Sequence, residues 1–431
     1  MARSCRSVSV CAHSAVAVRV YLRTFGCRAN QYDSEAVAAM VASGGGVLVD
    51  TPEDADVAVF NSCAVTSAAE SDLRQQVRRA ARRKPDLRTV VMGCAAARSS
   101  VQIAALPTVR NVVPGADFAA ISAAIGLEPG SATSPPGAQR GTRGLLRIQD
   151  GCDEHCTFCA TTLARGANIS RPVDALVAEA ARLAESHAEI VLTGIHIGTY
   201  GADIDSTLGA LLSKLVDRVP AVRFRLSSVE ATEVDAQLAE LLTGDAHRVA
   251  PYLHAPLQSG SNAVLRRMGR HWYSAESYAE AVERLVARST VFGLGADVIT
   301  GFPGETDADH AATVALVDRL PFTGLHVFPY SARPGTSAER LGGVVADSVS
   351  RARAAELRAI AARKLAAYCD RRAGGLADVV VIGHDDGQRD GLTGDYLQVD
   401  LPDPAPPRGA RVTARLERIA GHQRLRALPL A

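Results

Sequence analysis

The sequence predicts an α/β protein with three parts, and three observations support this fold class. From Val16 to about Ile125, short β-branched runs alternate with Ala-rich stretches at helical spacing, which predicts an N-terminal doubly wound α/β domain. Six later strand-like runs, separated by helical stretches, predict a central open (β/α)6 barrel. Short alternating strands, broken by Asp-Gly and Pro-rich turns, predict a small β domain at the C-terminus.

The size and composition are those of a folded protein with two or three domains. The 431 residues are 47% apolar and 22% charged, and no uninterrupted apolar run reaches about 18 residues. The segment from Met1 to Val20 contains three arginines and lacks an apolar stretch followed by a cleavage site. We therefore expect a cytoplasmic protein that makes no contact with a membrane.

The basic residues are almost all arginine, but this bias does not identify a partner. Only Lys84, Lys214 and Lys364 interrupt a set of 47 basic residues, and the formal net charge is +1. Arginine suits phosphate and RNA. A genome-wide preference for Arg and Ala codons would produce the same composition.

The N-terminal domain, assigned to residues 16–127, has three predicted strands that each end at a cysteine. These residues are Cys27, Cys63 and Cys94, in a chain of nine cysteines whose grouped thiols indicate metal binding or chemistry rather than disulfides. Ligand sites of open α/β sheets lie beyond the carboxyl ends of the strands, so we expect the three thiols to converge there. Residues 1–15 precede the first strand and are expected to be a disordered extension.

A Gly- and Pro-rich linker over residues 128–143 is expected to precede the barrel, which with its following helix is assigned to residues 144–372. Each barrel strand is followed at once by a polar or Gly-rich segment, and that edge builds the active site of βα barrels. The following helix is expected from about residue 346, and the β domain is assigned to residues 376–431. The predicted barrel strands cover residues 145–148, 190–192, 222–226, 251–253, 296–299 and 325–328.

The strongest chemical signal is the C-x3-C-x2-C group of Cys152, Cys156 and Cys159, which follows the first barrel strand. A four-iron cluster has four ligand positions, so three cysteines leave one iron open to a substrate or cofactor. A zinc site with His155 as the fourth ligand is the alternative, although paired C-x2-C groups are the usual zinc arrangement.

This cysteine group at the start of a six-unit barrel resembles the radical S-adenosylmethionine (radical SAM) superfamily. The resemblance implies that the open iron binds the amino and carboxylate groups of S-adenosylmethionine. It also implies that an electron from this 4Fe-4S cluster cleaves the sulfonium to a deoxyadenosyl radical. An electron donor such as flavodoxin or ferredoxin is then an expected partner.

Three N-terminal motifs narrow the resemblance to the methylthiotransferases of this superfamily. They are Thr24-Phe-Gly-Cys27 with the following Arg-Ala-Asn-Gln-Tyr-Asp-Ser-Glu35, Asn61-Ser-Cys63-Ala-Val-Thr66, and Gly93-Cys94. The resemblance implies that Cys27, Cys63 and Cys94 bind a second 4Fe-4S cluster whose open iron serves the sulfur donor. The motifs look most like the branch that methylthiolates carbon 2 of N6-threonylcarbamoyladenosine at position 37 of tRNA.

Further matches in the barrel imply a binding site for S-adenosylmethionine, and no catalytic residue is assigned beyond the cluster ligands. Among the matched residues, His196 and also His254 could instead be histidines satisfied within the barrel. Glu230 could bind ribose hydroxyls or cap a helix. The residues implied for cofactor binding are Gly194, His196, Ser228, Glu230, Gln258 and Asp297.

The C-terminal segment around Gly391-Leu-Thr-Gly-Asp-Tyr396 resembles the small TRAM-like β-barrel that binds RNA in these enzymes, which implies the anticodon loop of tRNA as partner. Arg408, Arg411, Arg415 and Arg418 could contact phosphate or form a solvated face. The basic run from Arg74 to Lys84 is interpreted as a solvated helix face, with tRNA binding as the alternative.

The loop after the barrel cysteines departs from the family pattern. Cys159 is followed by Ala-Thr-Thr-Leu instead of Ile-Ile-Pro, which alters the expected loop before Ala164-Arg165-Gly166 and leaves the ligands intact. Related substrates would be isopentenyladenosine in tRNA or an aspartate of a ribosomal protein. Outside radical chemistry, the rivals are an iron–sulfur electron carrier or scaffold, and an RNA-binding module with relict clusters.

Overall fold

The computed structural model describes residues 17–63, 67–127, 139–244, 247–383, 389–419 and 424–430. The predicted extension over residues 1–15 and most of the predicted linker lie outside this part of the chain. Within the described ranges, no helix is both long and apolar enough to cross a membrane.

The N-terminal domain is a five-stranded parallel sheet with strand order β2-β1-β3-β4-β5. Its central strand β3 is buried along its whole length, because Ala58 and Phe60 pack into one apolar cluster and Val57 and Val59 into another. The edge strands β2 and β5 were not among the three predicted strands. The elements are β1 (Arg19–Thr24), α1 (Arg28–Ser43), β2 (Val47–Val49), β3 (Val57–Ser62), α2 (Ser67–Arg83), β4 (Arg88–Gly93), α3 (Cys94–Arg98), α4 (Ser100–Ala104), β5 (Val109–Pro114) and α5 (Phe118–Ile125).

The central domain contains the six predicted parallel strands in the order β6-β9-β10-β11-β12-β13. Its two three-stranded halves are joined by a bridge between Ser228 and His254, and β6 and β13 form the two edges of the open barrel. The strands are β6 (Gly144–Arg147), β9 (Glu189–Thr193), β10 (Arg223–Leu226), β11 (Tyr252–His254), β12 (Gly293–Thr300) and β13 (Gly324–Pro329), with β7 (Gln149–Asp150) and β8 (Ile169–Ser170) pairing in the loop after β6.

The helices of the central domain are α6 (Thr161–Arg165), α7 (Val173–Ala184), α8 (Leu208–Arg218), α9 (Ala236–Gly244), α10 (Asn262–Arg267), α11 (Ala275–Val286), α12 (Asp307–Arg319) and α13 (Asp347–Arg372). All of them except α6 pack around one large apolar cluster. The helix expected from about residue 346 is α13.

The C-terminal domain is a closed five-stranded barrel with strand order β14-β15-β16-β18-β17. Three of its strands overlap predicted runs, whereas β15 and β18 were not predicted. The strands are β14 (Leu376–Gly383), β15 (Arg389–Thr393), β16 (Gln398–Asp400), β17 (Arg411–Arg418) and β18 (Leu425–Pro429). The predicted fold class, with its doubly wound domain, open βα barrel and small β-barrel, is confirmed.

A buried ionic network joins the central and C-terminal domains. The fully buried carboxylate of Glu189 accepts hydrogen bonds from Nε of Arg223 and Nε of Arg225, each at 2.8 Å. Arg225 also donates to the carbonyls of Thr393 (2.9 Å) and Gly394 (3.0 Å) in the C-terminal barrel. Burial alone would raise the pKa of Glu189, but the two guanidinium groups lower it well below its usual value.

Replacing this carboxylate should destabilise the protein strongly. We expect Glu189→Gln to cost about 3–5 kcal/mol, because it leaves the buried guanidinium of Arg225 without its counter-charge and Arg223 with Asp378 alone. Glu53→Gln is the matched control, since Glu53 pairs with Arg83 at 2.8 Å on the surface and exposed pairs contribute about 1 kcal/mol or less. Thermal and urea unfolding measure the difference, and equal unfolding midpoints for the two variants would contradict this account.

Candidate active site

The three N-terminal cysteines meet at the carboxyl edge of the parallel sheet. Cys63 follows β3 directly and Cys94 begins α3 directly after β4, and the preceding residues Ser62 and Gly93 are register partners. Cys27 lies just before α1, in the turn that follows β1. The thiols of Cys27 and Cys94 are close enough to influence each other electrostatically. We call Cys27, Cys63 and Cys94 the auxiliary trio.

Two glycines allow the backbone to bring these thiols together. Gly26 has φ +103°, and a Cβ at this position would lie 2.6 Å from both Cβ and Sγ of Cys63. Gly93 has φ +93°, and a Cβ there would lie 2.5 Å from the carbonyl of Ser62. Both positions therefore require glycine, for the backbone conformation and for the close approach.

Asparagine side chains fix the turn around the auxiliary trio. Asn30 donates to the side-chain oxygen of Asn61 at 3.0 Å and to the carbonyl of Ser62 at 2.8 Å, and all three residues are buried. Its own side-chain oxygen lies 3.4 Å from Sγ of Cys27. The two asparagines thus hold the segments that carry Cys27 and Cys63 in one arrangement.

Arg165 connects the auxiliary trio to the central barrel. It ends α6, six residues after Cys159, and its Nε donates to Sγ of Cys94 at 3.3 Å. The same buried guanidinium pairs with Asp33 at 2.9 Å and with Asp150 at 3.1 Å. Burial raises the pKa of the Cys94 thiol, and Arg165 opposes this effect.

The second group of thiols, Cys152, Cys156 and Cys159, lies in the loop after β6, and we call it the barrel trio. Each sulfur has a hydrogen-bond partner: Nδ1 of His196 lies 3.5 Å from Cys152, and the backbone N–H of Thr161 donates to Cys159 at 3.4 Å. The partner of Cys156 is Arg270. Hydrogen bonds to ligand sulfurs of this kind orient a cluster and tune its potential.

Arg270 links Cys156 to a predicted cofactor residue. Its Nη1 donates to Sγ of Cys156 at 3.4 Å, and its Nη2 forms a close ion pair with Glu230. Burial raises the pKa of Cys156 to about 12, although Arg270 acts in the opposite direction. Burial also raises the pKa of Glu230, again opposed by Arg270. The side chain of Glu230 does not cap the short helix that follows it.

Gln149 holds the loop after β9 against the loop of the barrel trio. It is fully buried, its Oε1 accepts from the backbone N–H groups of Ile195 and His196 at 3.0 Å, and its Nε2 donates to the carbonyl of Gly151 at 2.5 Å. Gly194 lies in this loop, where a Cβ would come 2.7 Å from the carbonyl of Gln149.

His196 is therefore fixed from two sides. Its Nε2 lies 2.8 Å from Glu233, and its Nδ1 faces Cys152. Burial lowers the pKa of this histidine, but its hydrogen bonds with Cys152 and Glu233 raise it to about 10.

Ser228 and Gln258 lie in the segments that follow β10 and β11, and Asp297 lies on β12. Gln258 adopts φ +62°, and its backbone N–H donates to the carbonyl of Asp297 at 2.8 Å. Ser228 forms the bridge to His254 that joins the two halves of the barrel. His196 contacts the barrel trio directly and Glu230 does so through Arg270, whereas Ser228, Gln258 and Asp297 lie around β11 and β12.

Asp297 is occupied by two histidines. Its Oδ1 lies 3.1 Å from Nε2 of His254 and 3.2 Å from Nδ1 of His326. These three ligand atoms lie within 4.8 Å of one another, and among the described residues only this group of histidine, cysteine and acidic side chains is that compact.

Four residues of this region carried no predicted role, and each acts through a partner that is distant in sequence. Arg270 and His326 lie outside the motifs interpreted as cofactor sites, and Gln149 precedes the cysteine motif. Arg165 belonged to a recognised motif, but nothing local indicated its contact with Cys94, 71 residues away.

The arginines of the C-terminal barrel have partners within the protein. Arg411 bonds the carboxylate of Asp378, and Arg418 pairs with Asp370 at 2.9 Å. Arg408 donates to Thr142 at 2.9 Å and Arg415 to the carbonyl of Gly374 at 2.9 Å. On α2, by contrast, Arg78, Arg79 and Arg82 are exposed.

Family comparisons agree with this organisation. Residues 19–115 match the family described as "Uncharacterized protein family UPF0004", and residues 146–317 match the radical SAM superfamily. The chain is 35% identical to threonylcarbamoyladenosine tRNA methylthiotransferase MtaB of Bacillus subtilis over 84% of both chains. It is also 34% identical to tRNA-2-methylthio-N(6)-dimethylallyladenosine synthase of a Ruegeria species, over 74% of this chain and 78% of the relative.

The solved structures show the fold. The radical S-adenosylmethionine methyltransferase TsrM of Kitasatospora setae, with cobalamin and a [4Fe-4S] cluster bound, is 14% identical, with a TM-score of 0.57 over 75% of this chain and 77% of that chain. The sequence relatives carry the assignment further, because the identity to the Bacillus enzyme extends over most of the chain. This chain belongs to the radical S-adenosylmethionine methylthiotransferases and is MtaB-like.

Proposed function

We propose that this enzyme methylthiolates carbon 2 of N6-threonylcarbamoyladenosine at position 37 of tRNA. The observation that carries the proposal is the pair of cysteine trios, held next to each other through Arg165, in a chain related to MtaB enzymes. The substrate implies action in the cytoplasm, and reduction of the enzyme requires an electron donor such as flavodoxin or ferredoxin.

The residues present fit two 4Fe-4S clusters and S-adenosylmethionine. Cys152, Cys156 and Cys159 would hold one cluster, and the auxiliary trio would hold the other. When bound, the clusters would supply the electron and the sulfur, and S-adenosylmethionine would supply the radical and the methyl group, which protein side chains lack. The residues proposed to surround S-adenosylmethionine are Gly194, His196, Ser228, Glu230, Gln258 and Asp297.

The chain itself orients these groups and shields part of the auxiliary trio from water. Arg165 and Arg270 place a fixed positive charge beside one sulfur of each trio, which stabilises the thiolate form that binds iron. Gln149 holds the loop that carries His196 against the loop that carries Cys152. Cys63 and Cys94 are buried, so the auxiliary trio is shielded from solvent on the sheet side.

The second candidate substrate is dimethylallyladenosine in tRNA. The Ruegeria relative, which is named for the 2-methylthio form of this nucleoside, is 34% identical to this chain, and the Bacillus enzyme is 35% identical.

Nucleoside analysis tests the proposed reaction. Reduced, reconstituted enzyme with S-adenosylmethionine should convert threonylcarbamoyladenosine in tRNA to its 2-methylthio form, detected by mass spectrometry of the digested tRNA. The matched control is tRNA that carries dimethylallyladenosine at the same position. If only the control tRNA is converted, dimethylallyladenosine replaces threonylcarbamoyladenosine as the substrate. If neither tRNA is converted, the proposal is refuted.

Cysteine variants should separate the two trios. We expect Cys63→Ala to lose roughly four of roughly eight irons per chain and all methylthio product, while it still cleaves S-adenosylmethionine. Cys156→Ala should lose the cleavage as well. Cys369→Ala is the control for iron content and deoxyadenosine formation only, because this buried cysteine lies in α13, away from both trios, but lines a cavity next to the C-terminal barrel. Iron content and deoxyadenosine formation are the measurements, and full iron content in Cys63→Ala would contradict the assignment.

Arg165→Gln should weaken the auxiliary site. Loss of a residue that hydrogen-bonds a metal ligand typically lowers metal affinity roughly 10- to 100-fold. A chelator should therefore remove iron faster from Arg165→Gln than from the wild type. Arg171→Gln is the control, since Arg171 lies at the same domain interface and bonds Glu179 at 2.7 Å and Tyr32 at 3.2 Å. Equal rates of iron release from the two variants would show that Arg165 acts only on domain packing.

A further inference from the structure

A cavity of about 400 Å³ lies where the open side of the central barrel meets the C-terminal barrel. Its walls include Tyr252 and His326 from the central barrel and Tyr396 from the C-terminal barrel. The rings of Tyr252 and Tyr396 stack with centroids 4.4 Å apart. The cavity is therefore a shared chamber of two domains.

The auxiliary trio reaches this cavity through one residue. Arg28 directly follows Cys27, and its Nη2 donates to the hydroxyl of Tyr396 at 3.0 Å. Because Arg28 spans from the trio to the cavity wall, a substrate base beside the auxiliary trio would have its substituents within reach of this cavity.

A chain of hydrogen bonds orients polar groups along one wall. The hydroxyl of Tyr252 lies 3.3 Å from Nδ1 of His254, whose Nε2 faces Asp297. His326 faces the same carboxylate oxygen through Nδ1, which leaves its Nε2 for a ligand, and 66% of its side chain is exposed. Its hydrogen bond with Asp297 raises the pKa of His326 despite its partial burial, which favours the protonated ring.

Positive charge beside the cavity comes from Arg28, which donates to the hydroxyl of the cavity residue Tyr396, and from His326. Arg143 and Arg424 line the cavity but are paired with acids. The acids nearby already have partners, since Asp297 is shared by the two histidines. The other acidic residues in contact with the cavity arginines are Glu189, which pairs with Arg143, and Asp390 and Asp400, which pair with Arg424.

We propose that this cavity binds the threonylcarbamoyl substituent of the substrate adenosine, with Nε2–H of His326 donating to its carboxylate. The inference rests on the proposed function and deepens it, because it names the residue that selects the substituent. An apolar dimethylallyl group would leave these donors without partners, which opposes its binding.

The same three side chains could hold a metal ion, but their geometry is explained without one. Both histidine nitrogens face one carboxylate oxygen at hydrogen-bond distance, so their N–H groups satisfy that oxygen. A bound metal would require both nitrogens to present lone pairs instead.

Anaerobic binding to three forms of tRNA tests the proposal with the reconstituted enzyme. The tRNAs carry threonylcarbamoyladenosine, unmodified adenosine or dimethylallyladenosine at position 37. The wild type should bind the first most tightly, and His326→Phe should reduce this preference about 10- to 100-fold. His326→Gln, which keeps an N–H donor, should retain part of it. His271→Phe, an exposed histidine that does not line the cavity, should behave as the wild type.

The outcomes separate the inference from the proposed function. A wild type that binds all three tRNAs alike, or an unchanged preference in His326→Phe, would overturn the pocket assignment. A stoichiometric non-iron metal that the wild type holds and this variant loses would overturn it too. The wild type could prefer threonylcarbamoyladenosine, with the preference lost in His326→Phe, and yet never methylthiolate this nucleoside. That result would support the pocket and refute the proposed reaction.

Discussion

The structure depends on one buried guanidinium between two domains. Arg165 comes from the loop that carries the barrel trio and ends against Cys94 of the auxiliary trio, with Asp33 and Asp150 as its counter-charges. A guanidinium has five donors in a fixed plane, so it can bond a sulfur and two carboxylates at once. Together with Arg147, which pairs with Asp33, and Arg171, which bonds Tyr32, this planar group fixes the relative position of the two thiol groups.

A second buried network fixes the third domain. Glu189 balances Arg223 and Arg225, and Arg225 continues to backbone carbonyls of the C-terminal barrel. These ions are buried at a cost in desolvation that is offset only while all partners are present. The small barrel is therefore held in one orientation, with Tyr396 against Tyr252.

Much of the fold and of the thiol chemistry could be predicted from the sequence, because those signals are local. Cysteines at strand ends placed the auxiliary trio, and hydrophobic runs located all six barrel strands. The short edge strands β2, β5, β15 and β18 carry too little pattern to identify. A contact such as that between Arg270 and Cys156, which are 114 residues apart, depends on the fold and produces no periodic pattern in the sequence. For the same reason, the sequence could not predict that Asp297 is shared by His254 and His326.

The stacked tyrosines have a consequence for how such enzymes can change. Tyr396 belongs to the C-terminal barrel and stacks on Tyr252 in the wall of a cavity that both domains form. The two domains therefore cannot be exchanged independently. A C-terminal barrel borrowed from a relative would need an aromatic ring at the same place and carbonyls within reach of Arg225. Substitutions at this contact would then have to occur in both domains together.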